Sequence, residues 1–109
     1  MKISLEFKLD KHDSAPAPHM RAWVDVDKSG HLTDGEEVNI TAEKLTWAGD
    51  ITSNEQTTDE MLFIVKYLAS PGAKWTMTLT GDTPSAHEIF KASGTVKQVE
   101  GRIVGRMRP

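Results

Sequence analysis

A chain of 109 residues, 38% hydrophobic and 27% charged, is long enough for one core and has the balance of an ordinary globular domain. It contains no cysteine, which excludes disulfides, thiolate metal sites and cysteine nucleophiles. No run of about 18 apolar residues is present to span a membrane, and the segment after Met1 and Lys2 lacks the apolar core of a signal peptide.

The net charge of -3 hides an asymmetry. Residues 1–55 carry 6 Lys/Arg against 11 Asp/Glu, whereas residues 56–109 carry 7 against 5. The basic half ends in Arg102, Arg106 and Arg108. One short cluster of this kind reads as a solvated tail, so nucleic acid is not an expected partner.

In chain order, residues 2–10 alternate, with Ile3, Leu5, Phe7 and Leu9 on one face and charged or polar residues on the other. That period belongs to a half-buried strand. Lys11–His19 contains Pro16 and Pro18 and reads as a connection. Met20–Val26, with Trp23, Val24 and Val26, suits a strand. An acidic loop follows at Asp25–Glu36, then alternation at Val38, Asn39 and Ile40, and a further strand at Leu45–Trp47 before Gly49 and Asp50. Residues 51–60 are polar and read as an exposed connection. Met61–Leu68 is apolar except for Lys66, which predicts a strand buried on both faces. Ser70, Pro71 and Gly72 signal a turn. Lys74–Thr80 alternates, with Trp75, Met77 and Leu79 inward and threonines outward. The remainder predicts two or three short strands around Ile89, Phe90, Val96, Val99 and Ile103, with Gly94, Gly101 and Gly105 as punctuation.

Turn signals every 8–12 residues predict an all-β fold: an antiparallel β-sandwich of about seven strands, immunoglobulin-like or C2-like, with one calcium loop, forming a single domain over 1–109. The expected inward set is Leu5, Phe7, Val24, Ile40, Leu62, Ile64, Trp75, Met77, Leu79, Phe90 and Val104.

The chemistry lies in Asp25–Glu36. Calcium takes six to eight oxygen ligands, and a twelve-residue loop supplies them from positions 1, 3, 5, 7, 9 and 12. Those positions are Asp25, Asp27, Ser29, the carbonyl of His31, Thr33 through water, and Glu36. Gly30 stands at position 6, where the chain must fold back, and Glu36 has the reach to bind with both oxygens. Without an ion, Asp25, Asp27 and Glu36 would repel one another.

The segment resembles an EF-hand or dockerin-type calcium loop, matching at positions 1, 3, 5, 6 and 12, with Leu32 at that family's hydrophobic position 8. The resemblance covers 12 of 109 residues. Such loops normally lie between helices and work in pairs, whereas this one lies between predicted strands and has no second copy. Ser29 also leaves three acidic ligands. The arrangement is similar to loops of bacterial surface domains, and it implies a structural Ca2+ rather than a helix-opening switch. An unpaired loop with three acids implies a dissociation constant near ~10⁻⁴ M.

Other constellations carry less. His12 and His19, with Asp10 and Asp13 nearby, match no metal-ligand spacing and read as loop residues. Ser85, His87 and Glu88 lack a nucleophile elbow and an ordered triad. Trp75 reads as core, while Trp23 and Trp47 flank the loop and offer a platform for a sugar or partner if exposed. The expectation is therefore a calcium-binding noncatalytic module with a structural or protein-interaction role. The alternative is a calcium-dependent carbohydrate- or lipid-binding module. The implied partners are another protein, an adjacent domain or carbohydrate, in an extracellular or cell-surface setting if calcium is bound.

Overall fold

The computed structural model describes residues 1–13, 17–26, 36–52, 61–83 and 85–107, without the side chain of Met107. Eight antiparallel strands make two sheets. They are β1 (Lys2–Leu9), β2 (His19–Val24), β3 (Asn39–Glu43), β4 (Thr46–Thr52), β5 (Met61–Leu68), β6 (Lys74–Gly81), β7 (His87–Thr95) and β8 (Glu100–Met107). One sheet has the order β3-β4-β1-β6-β7 and the other β2-β5-β8. Taken alone, β1 to β5 and β8 have the two-sheet arrangement of an immunoglobulin-type sandwich, and β6 pairs beside β1 where that fold places its first strand. The count is eight because the β6–β7 hairpin fills and extends that edge.

The alternation of β1 is the organising feature. Ile3, Leu5, Phe7 and Leu9 are all buried, between β4 on one side and β6 on the other. Phe7 is the hub. It meets Trp47 edge-on at 6.0 Å, and stacks on Trp75 at 6.1 Å and on Tyr67 of the opposite sheet at 5.7 Å. Truncating so enclosed an aromatic to Ala costs about 3–5 kcal/mol. From the facing sheet, Met20, Ala22, Val24, Met61, Phe63 and Val65 complete the core.

Several expected inward positions differ. On β5 the buried residues are Met61, Phe63 and Val65, while Leu62 and Ile64 lie half-buried on the opposite face. The strand is thus buried on one face, because among the described residues nothing layers over the outside of the β2-β5-β8 sheet. Val104 is 50% exposed for the same reason, and its neighbour Ile103 packs against the core. Trp47, expected beside the loop, is 4% exposed and part of the core. Ile40, Trp75 and Phe90 pack against the core while only partly buried.

The glycines account for the other differences. The chain does not turn at Gly49 and Asp50, since β4 runs on to Thr52. A Cβ on Gly49 would strike the Asn39 carbonyl, where the chain passes from the edge of β2 into β3, so this glycine permits a close approach within a strand. Gly94, Gly101 and Gly105 likewise lie inside strands. Each is paired across the ladder with an aromatic residue, namely Trp75, Tyr67 and Phe63. The rings lie over the glycines, so the last stretch folds as two long strands. Ile89 is the extra residue of a bulge in the β6–β7 ladder.

The turn after β5 follows its residues closely. The Ala73 N–H donates to the Ser70 carbonyl at 3.1 Å, with Pro71 and Gly72 central and Gly72 at a φ of 92°. This is the type II geometry that Pro-Gly favours.

Candidate functional site

The loop Asp25–Glu36 leaves the end of β2. Of its six expected ligands, Asp25 and Glu36 fall within the described residues, while Asp27, Ser29, His31 and Thr33 lie outside them, as do Gly30 and Leu32. The two described ligands stand at the two ends of the loop, and the backbone holds those ends side by side. Trp23 and Glu37 form an antiparallel bridge, and the Val38 N–H donates to the Ala22 carbonyl at 2.8 Å. On the other side of the same chain, the Asp25 N–H donates to the Leu62 carbonyl at 2.9 Å.

Both carboxylates are buried, Asp25 at 4% and Glu36 at 3% exposure. Of the described acidic residues they alone are buried, and burial of an ionised carboxylate is costly unless charge and hydrogen bonds compensate it. Positions 1 and 12 of the expected ligand set thus stand at the two adjoining ends of the loop backbone, each withdrawn from solvent. Among the described residues, no group of three or more His, Cys, Asp and Glu could hold a metal ion.

Two of the described histidines, His12 and His87, do structural work. His12 Nδ1 lies 3.0 Å from Ser70 Oγ, and the Asp13 N–H donates to the same oxygen at 3.3 Å. Ser70 is 6% exposed, and its hydroxyl ties the chain after β1 to the β5–β6 turn. His87 Nδ1 lies 2.8 Å from the Ser85 carbonyl, which makes that nitrogen the donor and closes a local turn. His19 is exposed on β2, opposite Leu68.

A second arrangement escaped the reading of single segments. Strand alternation sends His19, Arg21 and Trp23 of β2 outward, with Leu62, Ile64 and Lys66 of β5 and Arg102, Val104 and Arg106 of β8. The ladders align them in rows across the sheet. Arg21, Lys66 and Arg102 form one row, and Trp23, Ile64 and Val104 form the next. The Arg21 guanidinium lies 4.8 Å from the Trp23 ring centroid and the Lys66 ammonium 5.5 Å, so the indole gathers two cations. Arg21 also makes a forked bond with Glu37 (Nε to Oε1 2.7 Å, Nη2 to Oε2 3.0 Å). That bond holds the Glu37 carboxyl below the usual glutamate range. A cleft of about 400 Å3 opens over the basic row, between His19, Leu68 and Glu100. Arg102 and Arg106, expected in a solvated tail, stand instead on β8, and the adjacency of Arg102 to Lys66 and Arg21 depends on the register across strands.

Two of the expectations for tryptophan change here. Trp47 is enclosed, and Trp23 has cations over its ring. No helix among the described residues is long and apolar enough to cross a membrane. No family model matches the chain, and neither the curated proteins nor the solved structures give a match.

Proposed function

We propose that the chain is a calcium-binding, noncatalytic β-sandwich module with a structural or protein-interaction role. Asp25, Asp27, Ser29, the His31 carbonyl, Thr33 and Glu36 would hold the ion. The observation that carries this reading is the burial of Asp25 and Glu36 together, at positions 1 and 12 of a twelve-residue ligand pattern. Calcium takes hard oxygen donors, and a carboxylate at each end of the loop is what positions 1 and 12 require. The bridge between Trp23 and Glu37 suits a structural clip, since it joins the loop ends by strand backbone, with no hinged helices to open.

The carbohydrate-platform alternative has less support, since Trp47 is core and the Trp23 ring is flanked by Arg21 and Lys66. Thermal melts in 10 mM Ca2+, 10 mM Mg2+ and chelator test the proposal. With a dissociation constant near ~10⁻⁴ M, 10 mM Ca2+ is about 100 times that constant and adds ~2.7 kcal/mol. This corresponds to a rise in Tm on the order of 10 °C for a domain of this size. A midpoint equal in Ca2+ and chelator would overturn the calcium reading.

A further inference from the structure

The outer face of the β2-β5-β8 sheet combines three features that the calcium loop does not use. First, β8 pairs with β5 alone among the described strands, so its other side presents main-chain donors and acceptors over eight residues. Second, its outward side chains read Glu100, Arg102, Val104 and Arg106, a basic-apolar-basic alternation after one acid. Third, the cleft over Arg21, Lys66 and Arg102 lies on the same face. Among the described residues, Lys66, Arg102 and Arg106 have no carboxylate within ion-pair distance.

We infer that this edge receives an extended acidic segment of a partner protein, added beside β8 as a fourth strand. Strand addition satisfies the open edge by main-chain hydrogen bonds, and alternate side chains then set specificity. An added strand extends each row by one position. Its carboxylates fall opposite Arg102 and Arg106, and an apolar residue falls opposite Val104, continuing the row of Trp23 and Ile64. The matching pattern is acidic-x-apolar-x-acidic, with a basic residue accepted opposite Glu100.

This pattern separates the peptide from other occupants. A uniform polyanion such as a sulfated sugar or RNA has nothing apolar to set against Val104. The Trp23 ring also already has Arg21 and Lys66 over it, in place of a base or sugar ring. A second copy of β8 centred on Val104 would put Arg102 against Arg106. Centred on Ile103, it would satisfy Arg106 with Glu100 but leave Arg102 facing Val104. The inference gives a partner class to the interaction role proposed above and does not depend on the ion.

The test is an NMR titration of the whole chain, in calcium and in chelator, with the end-capped peptide Glu-Thr-Val-Thr-Glu-Thr-Lys. Its controls are the same peptide with lysine for both glutamates, a sulfated oligosaccharide and an RNA oligomer. Expected are saturable shifts concentrated on β8, slowed exchange of β8 amides, and affinity falling several-fold from 50 to 500 mM salt. Arg102→Glu and Arg106→Glu, both at exposed positions, should each weaken binding at least fivefold with an unchanged melt. Arg102→Lys should retain most of it. Absence of β8 shifts at millimolar peptide, or equal binding of the lysine peptide, would overturn the inference. So would tighter binding of either polyanion, or a dimer formed through β8 that excludes the peptide. Loss of the calcium melt shift with peptide binding intact would sink the ion proposal alone.

Discussion

Gly105 should be harder to replace than Gly101, although the space at Gly101 is the smaller. A Cβ built on Gly105 would lie 2.7 Å from Phe63 Cζ and 2.9 Å from its Cε1. A Cβ on Gly101 would overlap the Tyr67 ring still more deeply. The difference is what each ring can do in response. Tyr67 is only half-buried, its burial raises its hydroxyl pKa, and it has solvent on one side into which to rotate. Phe63 is fully buried and abuts Phe90 edge-on at 4.9 Å, so it has nowhere to go. Overpacking a closed core costs typically about 1–3 kcal/mol. Against that, Gly→Ala in a strand returns about 0.5–1 kcal/mol of backbone entropy. Gly105→Ala should therefore lose about 1–2 kcal/mol net, and Gly101→Ala less than half as much. Urea unfolding of both variants and of the parent measures this, with equal m-values as the check that the unfolded states match. Phe63→Leu in the Gly105→Ala background should recover part of the loss, as a favourable coupling energy in the double-mutant cycle. A Gly105→Ala variant as stable as the parent would refute the reasoning.

Glu36→Gln removes position 12 of the loop and should abolish the calcium-dependent rise in melting temperature, measured by the same scans that test the parent. Lys44 holds a φ of 56° at the first central position of the two-residue β3–β4 hairpin, where glycine is the favoured residue. Lys44→Gly should stabilise by up to about 1 kcal/mol in a thermal melt, although glycine ordinarily destabilises. Glu37 is held below its usual pKa by Arg21, so its contribution is fully present above the unfolded value near ~4.3 and is lost as pH falls through the lower, folded value. The pair is partly exposed, so Glu37→Gln should cost at most about 1 kcal/mol at pH 7, a difference that closes on acid titration of the unfolding midpoint.

β1 and β6 were legible because these strands alternate against water. Ile3, Leu5, Phe7 and Leu9 announce β1, and Met77 and Leu79 announce β6, since each strand has one wet face and one dry one. Legibility fails where composition is similar on both faces. In β5 only Lys66 marks the even positions as the outer set, and with Leu62 and Ile64 as apolar as their neighbours, the choice of Met61, Phe63 and Val65 for the core rests on partners elsewhere in the chain. The same holds for β8, where Gly101 and Gly105 face inward beneath aromatic rings of β5. Read locally, a glycine breaks a strand, and only the cross-strand partner shows that it makes room. For the candidate site, the ligand spacing was readable in full. The burial of Asp25 and Glu36 was not, because it depends on the Trp23–Glu37 bridge.

The proposed ion site and the proposed peptide edge belong to one sheet, and their positions determine how strongly each should feel the other. The loop springs from β2, Leu62 of β5 accepts the Asp25 N–H, and Leu62 pairs onward with Arg106 of β8. A strand added beyond β8 would place its carboxylate three strand spacings from Asp25, about 14 Å away. In water a dication attracts a single charge at that distance by about 0.6 kcal/mol, less than a threefold gain in affinity. At physiological salt the Debye length is about 8 Å, and little of that attraction remains. The loop ends also clamp the β2 side of the sheet, the side away from the open edge. Bound calcium should therefore help an acidic partner only slightly, and the partner should help calcium by the same small factor. A tenfold change in peptide affinity between calcium and chelator would exceed what charge can transmit over this distance. It would mean that β5 shifts when the loop is filled.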